Sequence, residues 1–505
     1  MNRWIKIIVP VGMVALITLP ARAGENDFLK PVGLPPPATA QRRQGGEAFP
    51  PLPLPATPLR RSERKRPPSP TALIGKVVWG SYLDYHWPNG VTSRVFDWNM
   101  VPADCQRLLR LFKHFTRMEY RAQTVDLASF SGNPAELPVL FFSGGRTVVL
   151  TPPERAKLRR YLLDGGSVWF DSVVGSPYFY RSVKQEIAAI LPESPLRRLP
   201  PDHPVFRLVR TVTTAELNDG VKAAPILDGA YVGARLAVIV SPYGLGGGWD
   251  DVYPTLVPAA QYYRRRSACE LGLNLAAYAV GWFETGRAYA VGEAYDAARG
   301  SGADRVVFAQ IKTLGWWNSD PGAETRFMRY LTRNVNIAIG DKPVYVDPEL
   351  AQLEDYSFLY LGGVGSFQLT SRGIDALRRY LDGGGCLLIN NSLGMNEFDL
   401  SCRRLMSRLY PRTTPTMISP ENPLFARGPF QFSSSGFSAV AARKYPGMTH
   451  PLLYGIKDGD RYKLIYSPVD IAGGWLGTPR PGSVGYDAAT ANRIGADIIT
   501  YFLTH

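Results

Sequence analysis

The chain carries the same residue pattern twice, and a sequence that repeats itself at a fixed offset folds as two like units. LRRYLLDGGSVWFD, from Leu158 to Asp171, is matched by LRRYLDGGGCLLIN, from Leu377 to Asn390, 219 residues further on. The same offset lays Asp202-His203-Pro204-Val205-Phe206 on Glu421-Asn422-Pro423-Leu424-Phe425. Upstream, Lys76-Val77-Val78-Trp79 answers Arg305-Val306-Val307-Phe308, and the apolar run Leu140 to Gly145 answers Phe358 to Gly363. Downstream, Arg235, Ser241-Pro242 and Trp249 answer Arg461, Ser467-Pro468 and Trp475, while Gly272, Asn274 and Tyr278 answer Gly495, Asp497 and Tyr501. The expectation is two domains, 73–285 and 303–505, joined near Gly300-Ser301-Gly302.

Within each copy, short β-branched and aromatic runs alternate with helical segments. The continuous apolar run Leu137 to Ser143 is the kind buried on both faces of a parallel sheet. Thr151-Pro152-Pro153-Glu154 then supplies an N-cap, an early proline and a capping-box glutamate. That helix should stop at Gly165-Gly166, with a strand from Ser167 to Phe170 directly after it. Strand–helix alternation of this kind predicts an α/β fold with a doubly wound parallel sheet in each copy.

The N-terminus reads as an export signal. Arg3 and Lys6 precede an apolar stretch, Ile7 to Leu19, ending in Ala21-Arg22-Ala23, so residues 1–23 form a signal peptide cut before Gly24. An uncleaved anchor needs an apolar run of about 20 residues; this one is shorter and contains Pro10. No later segment reaches that length, which predicts a periplasmic or secreted protein. Residues 24–72 form a proline-rich basic linker that cannot bury a core, read either as an extended spacer or as plain disorder.

Export governs how the net charge of +14 is read. Outside the cytoplasm the expected partners are an anionic envelope polymer, a membrane surface or an envelope protein complex, and not nucleic acid. The plainer reading of Arg155, Lys157, Arg159 and Arg160, which share one predicted helix, is a solvated face. Cys105, Cys269, Cys386 and Cys402 are too scattered for a disulfide framework or a zinc motif, although Cys105 and Cys269 would meet if the first and last helices of copy one pack together. No Walker or dinucleotide fingerprint occurs, and neither cofactor nor metal is expected.

The apolar strand ending in Gly-Gly, the T-x-x-E…L-R-R-Y-L-x-x-G-G helix, the D-H-P-[VL]-F turn and the G-x-R…S-P…G-G-W segment together resemble the exported domain-of-unknown-function family numbered 4159. The resemblance covers most of both copies, departing in copy two where the D-H-P turn reads Glu421-Asn422-Pro423. It implies a class I glutamine amidotransferase-like, flavodoxin-related fold and promises no activity. Amidotransferases of that fold place a cysteine on the turn after a strand, where backbone amides lower its pKa. Here the corresponding strands end in Asp171-Ser172 and Asn390-Asn391, and Cys386 lies at the start of its strand, so glutamine amide hydrolysis is not expected.

Asp171 is then the best-placed ionisable group at a strand end, with Asp202 and His203 as the second candidates for acid–base chemistry. The same groups serve equally to cap a helix and brace a turn. In copy two they become Asn390, Glu421 and Asn422, which keep hydrogen-bonding ability but not proton transfer. Arg235 and Arg461 precede strands ending at Ser241 and Ser467, each followed by a glycine-rich loop of the kind that admits an anionic ligand. Trp249 with Asp250, Trp475, Tyr85-His86-Trp87 and Trp316-Trp317 offer stacking platforms or, alternatively, core packing. The leading expectation is a non-catalytic envelope binding or scaffold protein whose better crevice lies in copy one. The alternatives are a hydrolase of an envelope glycan or amide using Asp171 and His203, and a purely structural pair of domains.

Overall fold

The computed structural model describes residues 71–86, 89–251, 259–288, 306–335, 337, 339–340, 342–426, 428–430, 434–478 and 480–505. The expected signal peptide, residues 24–70 of the expected linker and the Gly300-Ser301-Gly302 link lie outside them, while Ala72, assigned to the linker, begins the first strand.

Copy one runs β1 (Ala72–Val78), β2 (Tyr82–His86), β3 (Thr92–Phe96), α1 (Asp104–Thr116), β4 (Arg121–Asp126), β5 (Val139–Gly144), α2 (Pro152–Leu163), β6 (Ser167–Ser172), α3 (Pro177–Ile190), β7 (Arg197–Arg198), β8 (Ala215–Glu216), β9 (Lys222–Ala223), β10 (Asp228–Val232), β11 (Arg235–Ser241), α4 (Gly246–Asp250) and α5 (Arg265–Ala288). Copy two runs β12 (Ala309–Ile311), α6 (Ala323–Asn334), β13 (Val344–Val346), β14 (Leu359–Gly363), α7 (Ser371–Asp382), β15 (Leu387–Asn391), α8 (Asn396–Leu409), β16 (Thr416–Met417), α9 (Pro423–Ala426), α10 (Ala439–Lys444), β17 (Tyr454–Asp458), β18 (Arg461–Ser467), α11 (Ala472–Leu476) and α12 (Ala488–Thr504). The sheets are ordered β4-β1-β5-β6-β11-β10-β7 and β13-β12-β14-β15-β18-β17-β16. In each, the first five strands pair in parallel and the last two pairings are antiparallel, so that β10 and β17 run against the other strands of their sheets. The chain is thus a tandem α/β protein, with β2 and β3 forming a separate hairpin that has no counterpart among the described residues of copy two.

Strand β5 shows why the sheet carries helices on both sides. Val139 and Phe141 join a core with Leu108 and Leu109 of α1 and Leu271 and Leu275 of α5. Leu140 and Phe142 join another with Leu158 and Leu162 of α2 and Val183 and Ile187 of α3. Alternate side chains of one strand therefore face opposite helix layers, and each buried Leu, Val or Phe contributes about 1.5–3 kcal/mol. The predicted capping box forms, Thr151 N–H donating to the Glu154 carboxylate at 2.7 Å, and α2 ends before Gly165-Gly166 as expected.

The repeat is kept down to individual hydrogen bonds. Tyr278 Oη accepts from the Leu236 amide at 2.9 Å and Tyr501 Oη from the Tyr462 amide at 3.0 Å. Trp249 Nε1 donates to Ala268 O and Trp475 Nε1 to Ala491 O. Two parts of the sequence alignment are corrected by strand register. Leu140 pairs with Val168 as Leu359 pairs with Leu387, so the Gly-Gly strand is displaced by one residue from the sequence match. Gly75 pairs with Leu140 as Ala309 pairs with Leu359, which makes Gln310, not Arg305, the counterpart of Lys76. The hairpin inserted after β1 in copy one changes the spacing that a fixed offset cannot follow.

The two copies pack head to tail within one compact unit, Ser69–His505. Residues at the start of β11 and its neighbours in copy one rest on the loops beyond the carboxyl ends of the copy-two strands. Tyr231 packs on Trp316 with ring centroids 4.3 Å apart, Arg197 lies over the same indole, and Trp282 Nε1 donates to Pro481 O at 3.3 Å. Asp202 Oδ2 accepts the Asn396 amide at 2.9 Å, at the first residue of α8.

Candidate functional site

In an open α/β sheet the ligand crevice lies outside the carboxyl ends of the strands, where strand order reverses. In copy one that point is between β1 and β5, because the chain leaves β1 for the outer strand β4 and returns on the other side. A crevice of about 600 Å³ opens there, lined by Gly80, Ser81, Asp97, Arg146, Thr147 and Tyr178. Asp97 Oδ2 accepts the Ser81 amide at 2.9 Å, and Arg146 Nε lies 3.5 Å from Asp97 Oδ1 with its side chain 54% exposed. The site thus presents a cation on a loose carboxylate tether, two hydroxyls, and the exposed Tyr178 ring at the start of α3. The glycine signal acquires a reason here. A Cβ on Gly144 would lie 3.0 Å from Asp97 O and collide with the Trp79 ring, so only glycine lets the Asp97 segment cross the strand end.

The same place in copy two is shut. Trp316 pairs antiparallel with Val364, Val364 N–H donates to Trp316 O at 3.2 Å, and copy one then covers the indole through Tyr231 and Arg197. The two switch points have different fates: one is open, the other is the seat of the neighbouring domain.

Beneath each strand end lies a buried ionic group built from non-equivalent residues. In copy one Lys76 Nζ binds both Asp104 oxygens at 2.8 and 2.9 Å. Asp171 beside it accepts the Leu245 and Gly246 amides, each at 2.8 Å. Burial pushes the Asp171 carboxyl up to about 7 against those two amides, and burial also raises Asp104. In copy two Arg480 bridges Asp470, at 2.8 Å, and Asp320. Asp320 accepts Ser392 Oγ at 2.5 Å, and Asp470 accepts the Gly473 amide at 3.0 Å. Glu324, fully buried, has no hydrogen-bond partner on either oxygen, and burial with the nearby Asp320 charge lifts it to about 8. Helix alignment places Glu324 where copy one has Cys105, and register places neutral Gln310 where copy one has Lys76. A cleft of about 440 Å³ borders this group, lined by Asp470, Arg480, Ser438, Ser483 and Tyr486. Sequence reasoning missed Asp97, Arg146, Asp320, Asp470, Arg480 and Glu324. The first two sit on an inserted hairpin and a loop; the others have no charged counterpart in copy one to draw attention to them.

The residues expected to carry chemistry are placed otherwise. Asp171 and His203 do not share a crevice. Asp171 pairs with Ser241 at the carboxyl end of β11, whereas His203 packs on Tyr231 and Tyr278, and Tyr278 bonds Leu236 near the start of that strand. Five residues of strand separate the two levels, about 16 Å at 3.3 Å per residue, far beyond one bridging water. His203 is fully buried, its Nδ1 accepts the Val205 amide at 3.1 Å, and burial pushes its pKa down to about 3. Asn422 does the same work in copy two, Oδ1 accepting the Leu424 amide at 3.0 Å. Asp202 caps α8 across the domain boundary, so the Asp202-His203 turn is a docking element rather than an acid–base pair.

Other candidates are likewise tied into the fold. Arg235 is buried at the opposite end of β11 from the crevice, donating to Leu162 O and Gly166 O at 2.6 Å and closing the end of α2. Arg461 donates to Cys386 Sγ at 2.7 Å. Ser172 Oγ donates to Ser176 O and Ser241 Oγ to Tyr243 O. Asn390 Oδ1 accepts the Ile471 amide at 2.8 Å, the bond Asp171 makes with Leu245. Trp249 and Trp475 are buried, packed on Phe141 and Phe327, which removes them as sugar platforms. Asp250 pairs with Arg107 at 2.7 Å and accepts the Ala103 amide ahead of α1. Trp316 is taken by the interface, and Trp87 lies outside the described residues. The four cysteines are free: Cys269 faces Gly248 O and Cys105 points into the core, although α1 and α5 do pack together. The basic run on α2 is internally engaged, Arg155 with Glu186, Arg159 with Glu193, Arg160 with Asp164 and Lys157 with the Leu127 and Phe130 carbonyls. Among the described residues no cluster suited to a metal ion occurs, and no helix is long and apolar enough to cross a membrane.

The family model described as a domain of unknown function, DUF4159, matches the chain twice, over residues 89–280 and 307–503. No curated protein matches it.

Proposed function

The chain belongs to the DUF4159 family in two tandem copies, and from that premise we propose that it is a non-catalytic binding protein of the cell envelope, exported by its N-terminal signal. The ligand enters the switch-point crevice of copy one, and copy two serves as the platform on which copy one is seated. The observation that carries this reading is the contrast between the two switch points, one open around Arg146 and the other filled by Trp316. A binding role fits the absence of a thiol at either strand-end turn, the engagement of the Ser172 hydroxyl with Ser176 O, and the engagement of Asp171 and His203 in backbone bonds. The crevice chemistry, a guanidinium with a carboxylate, two hydroxyls and an exposed phenol, suits a hydroxyl-rich or anionic envelope polymer.

Calorimetric titration with soluble envelope glycan and anionic polymer fragments tests the proposal. Heat and a Kd that weakens by about 10-fold in Arg146→Ala, the loss of one charge-assisted hydrogen bond, are expected. A flat response over the whole panel, or equal binding by the variant, sinks it.

A further inference from the structure

We infer that the crevice end of copy one docks on an anionic lipid surface, with the β2–β3 hairpin lying at headgroup depth. This inference rests on the proposal that this end is the protein's binding face, and it names a partner for the collar around the crevice.

Large apolar side chains are exposed together here. Val78, Tyr82, Leu83, Val91, Phe96 and Tyr178 are all at least 40% exposed. Tyr82 and Phe96 face each other across the hairpin with ring centroids 5.9 Å apart, and Tyr178 and Ser81 line the same crevice. Exposed apolar patches of this kind mark interaction surfaces. The fold does not require this one, since the described residues of copy two form no such hairpin and its switch point lies under Tyr231 and Arg197 of copy one.

Charge selects the partner. Of the collar carboxylates, Asp84 is answered by Arg94 at 3.0 Å and Asp97 by Arg146 and Ser81, while Asp126, paired in register with Val78, is exposed and accepts the Ala128 amide. On α3, which begins at this end, Arg181 and Lys184 are exposed, while its only acid, Glu186, is buried against Arg155. The collar therefore carries an excess of cations beside apolar and aromatic groups, the combination that binds an interface rich in anionic lipid. Depth follows from the backbone. Among the described residues each hairpin strand pairs only with the other, and its outer amides and carbonyls need water, so the hairpin stays out of the hydrocarbon core. Tyr82, Phe96 and Tyr178 then occupy the headgroup level that aromatic residues prefer, and attachment is shallow, reversible and weakened by salt. A hairpin outside both large sheets fits a deformable lipid surface better than a preformed protein groove.

The test uses the chain from Gly24 onward with vesicles of phosphatidylcholine alone and of phosphatidylcholine mixed with phosphatidylglycerol. Sedimentation with the anionic vesicles, reduced by salt and at least about tenfold weaker for the double variant Leu83→Asp/Val91→Asp, is expected. A fluorophore on V91C should shift to the blue on the same vesicles, a readout independent of how well the double variant folds. Wild-type sedimentation by the double variant, or an unmoved fluorophore on sedimenting protein, overturns the inference, because attachment then runs through the basic segment 31–70. Capture of a soluble protein by this face with indifference to vesicles overturns it equally. The glycan titration of Arg146→Ala contains no lipid, so failure of the crevice and failure of the collar are read separately.

Discussion

Asp202 of the first half accepts the backbone amide of Asn396 in the second at 2.9 Å, so a turn of one domain caps the helix of the other. Around it, Trp282 reaches Pro481, Tyr231 covers Trp316, and Pro204 sits against Gly482. The residues that would repeat this docking on the free underside of copy two are polar: Tyr231 corresponds to Lys457 and Trp282 to His505, both exposed. That face of copy two therefore lacks the aromatic groups through which copy one docks, as the solvated outer faces of repeat units do.

Removing the cap should loosen the halves without unfolding either. Asp202→Ala is expected to cost about 1 kcal/mol, the usual value of an N-cap side chain, in urea denaturation. Trp316→Ala should cost about 3–5 kcal/mol and split a single unfolding transition into two. A single unshifted transition in both variants contradicts the docking described here.

His203 is expected to act as an acceptor and nothing more. His203→Asn should be tolerated, because Asn422 makes the same bond, whereas His203→Ala should cost about 1–2 kcal/mol. Burial lowers the folded pKa to about 3 from an unfolded value near 6.5. The unfolded state then binds the proton first, so stability falls as pH drops from about 6.5 to about 3. Measured from pH 7 down to pH 4, that loss should be smaller in His203→Asn.

Glu324 works in the opposite sense. Its folded pKa, about 8, stands above the ordinary 4.5, so its contribution is intact below about 4.5 and is lost as pH rises to about 8. Glu324→Gln removes that dependence. Thermal unfolding at pH 5 and pH 9 should show a smaller drop in the variant than in the parent chain; equal drops would falsify the assignment of a neutral buried carboxyl.

Asp497 marks a site where copy two is built less well than copy one. Asn274, its counterpart, accepts the Val209 and Arg210 amides at 2.8 and 2.9 Å and donates to Arg210 O at 2.7 Å. Asp497 has one oxygen without a partner and a pKa pushed up by burial to about 7. Asp497→Asn should stabilise the chain by about 1 kcal/mol above pH 7, with little change at pH 4, where the carboxyl is already neutral.

Repetition, strand–helix alternation and the capping box of α2 were legible in the residue order, because each depends on neighbours a few positions apart. The same local logic found the strand ends and pointed to Asp171, Asn390 and the Asp202-His203 turn as polar groups in notable places. Residue order could not say what those groups touch. Asp171 meets two amides 74 and 75 residues away, and His203 lies at the other end of the sheet from it. Nor could it show that Arg480 joins Asp320 across 160 residues, or that an inserted hairpin and Arg146 frame the open crevice. Contacts of that range depend on strand order and on the packing of one copy against the other. A polar side chain at a strand end is a brace when packing buries it and a binding group when packing leaves it open, and only the tertiary arrangement makes that choice.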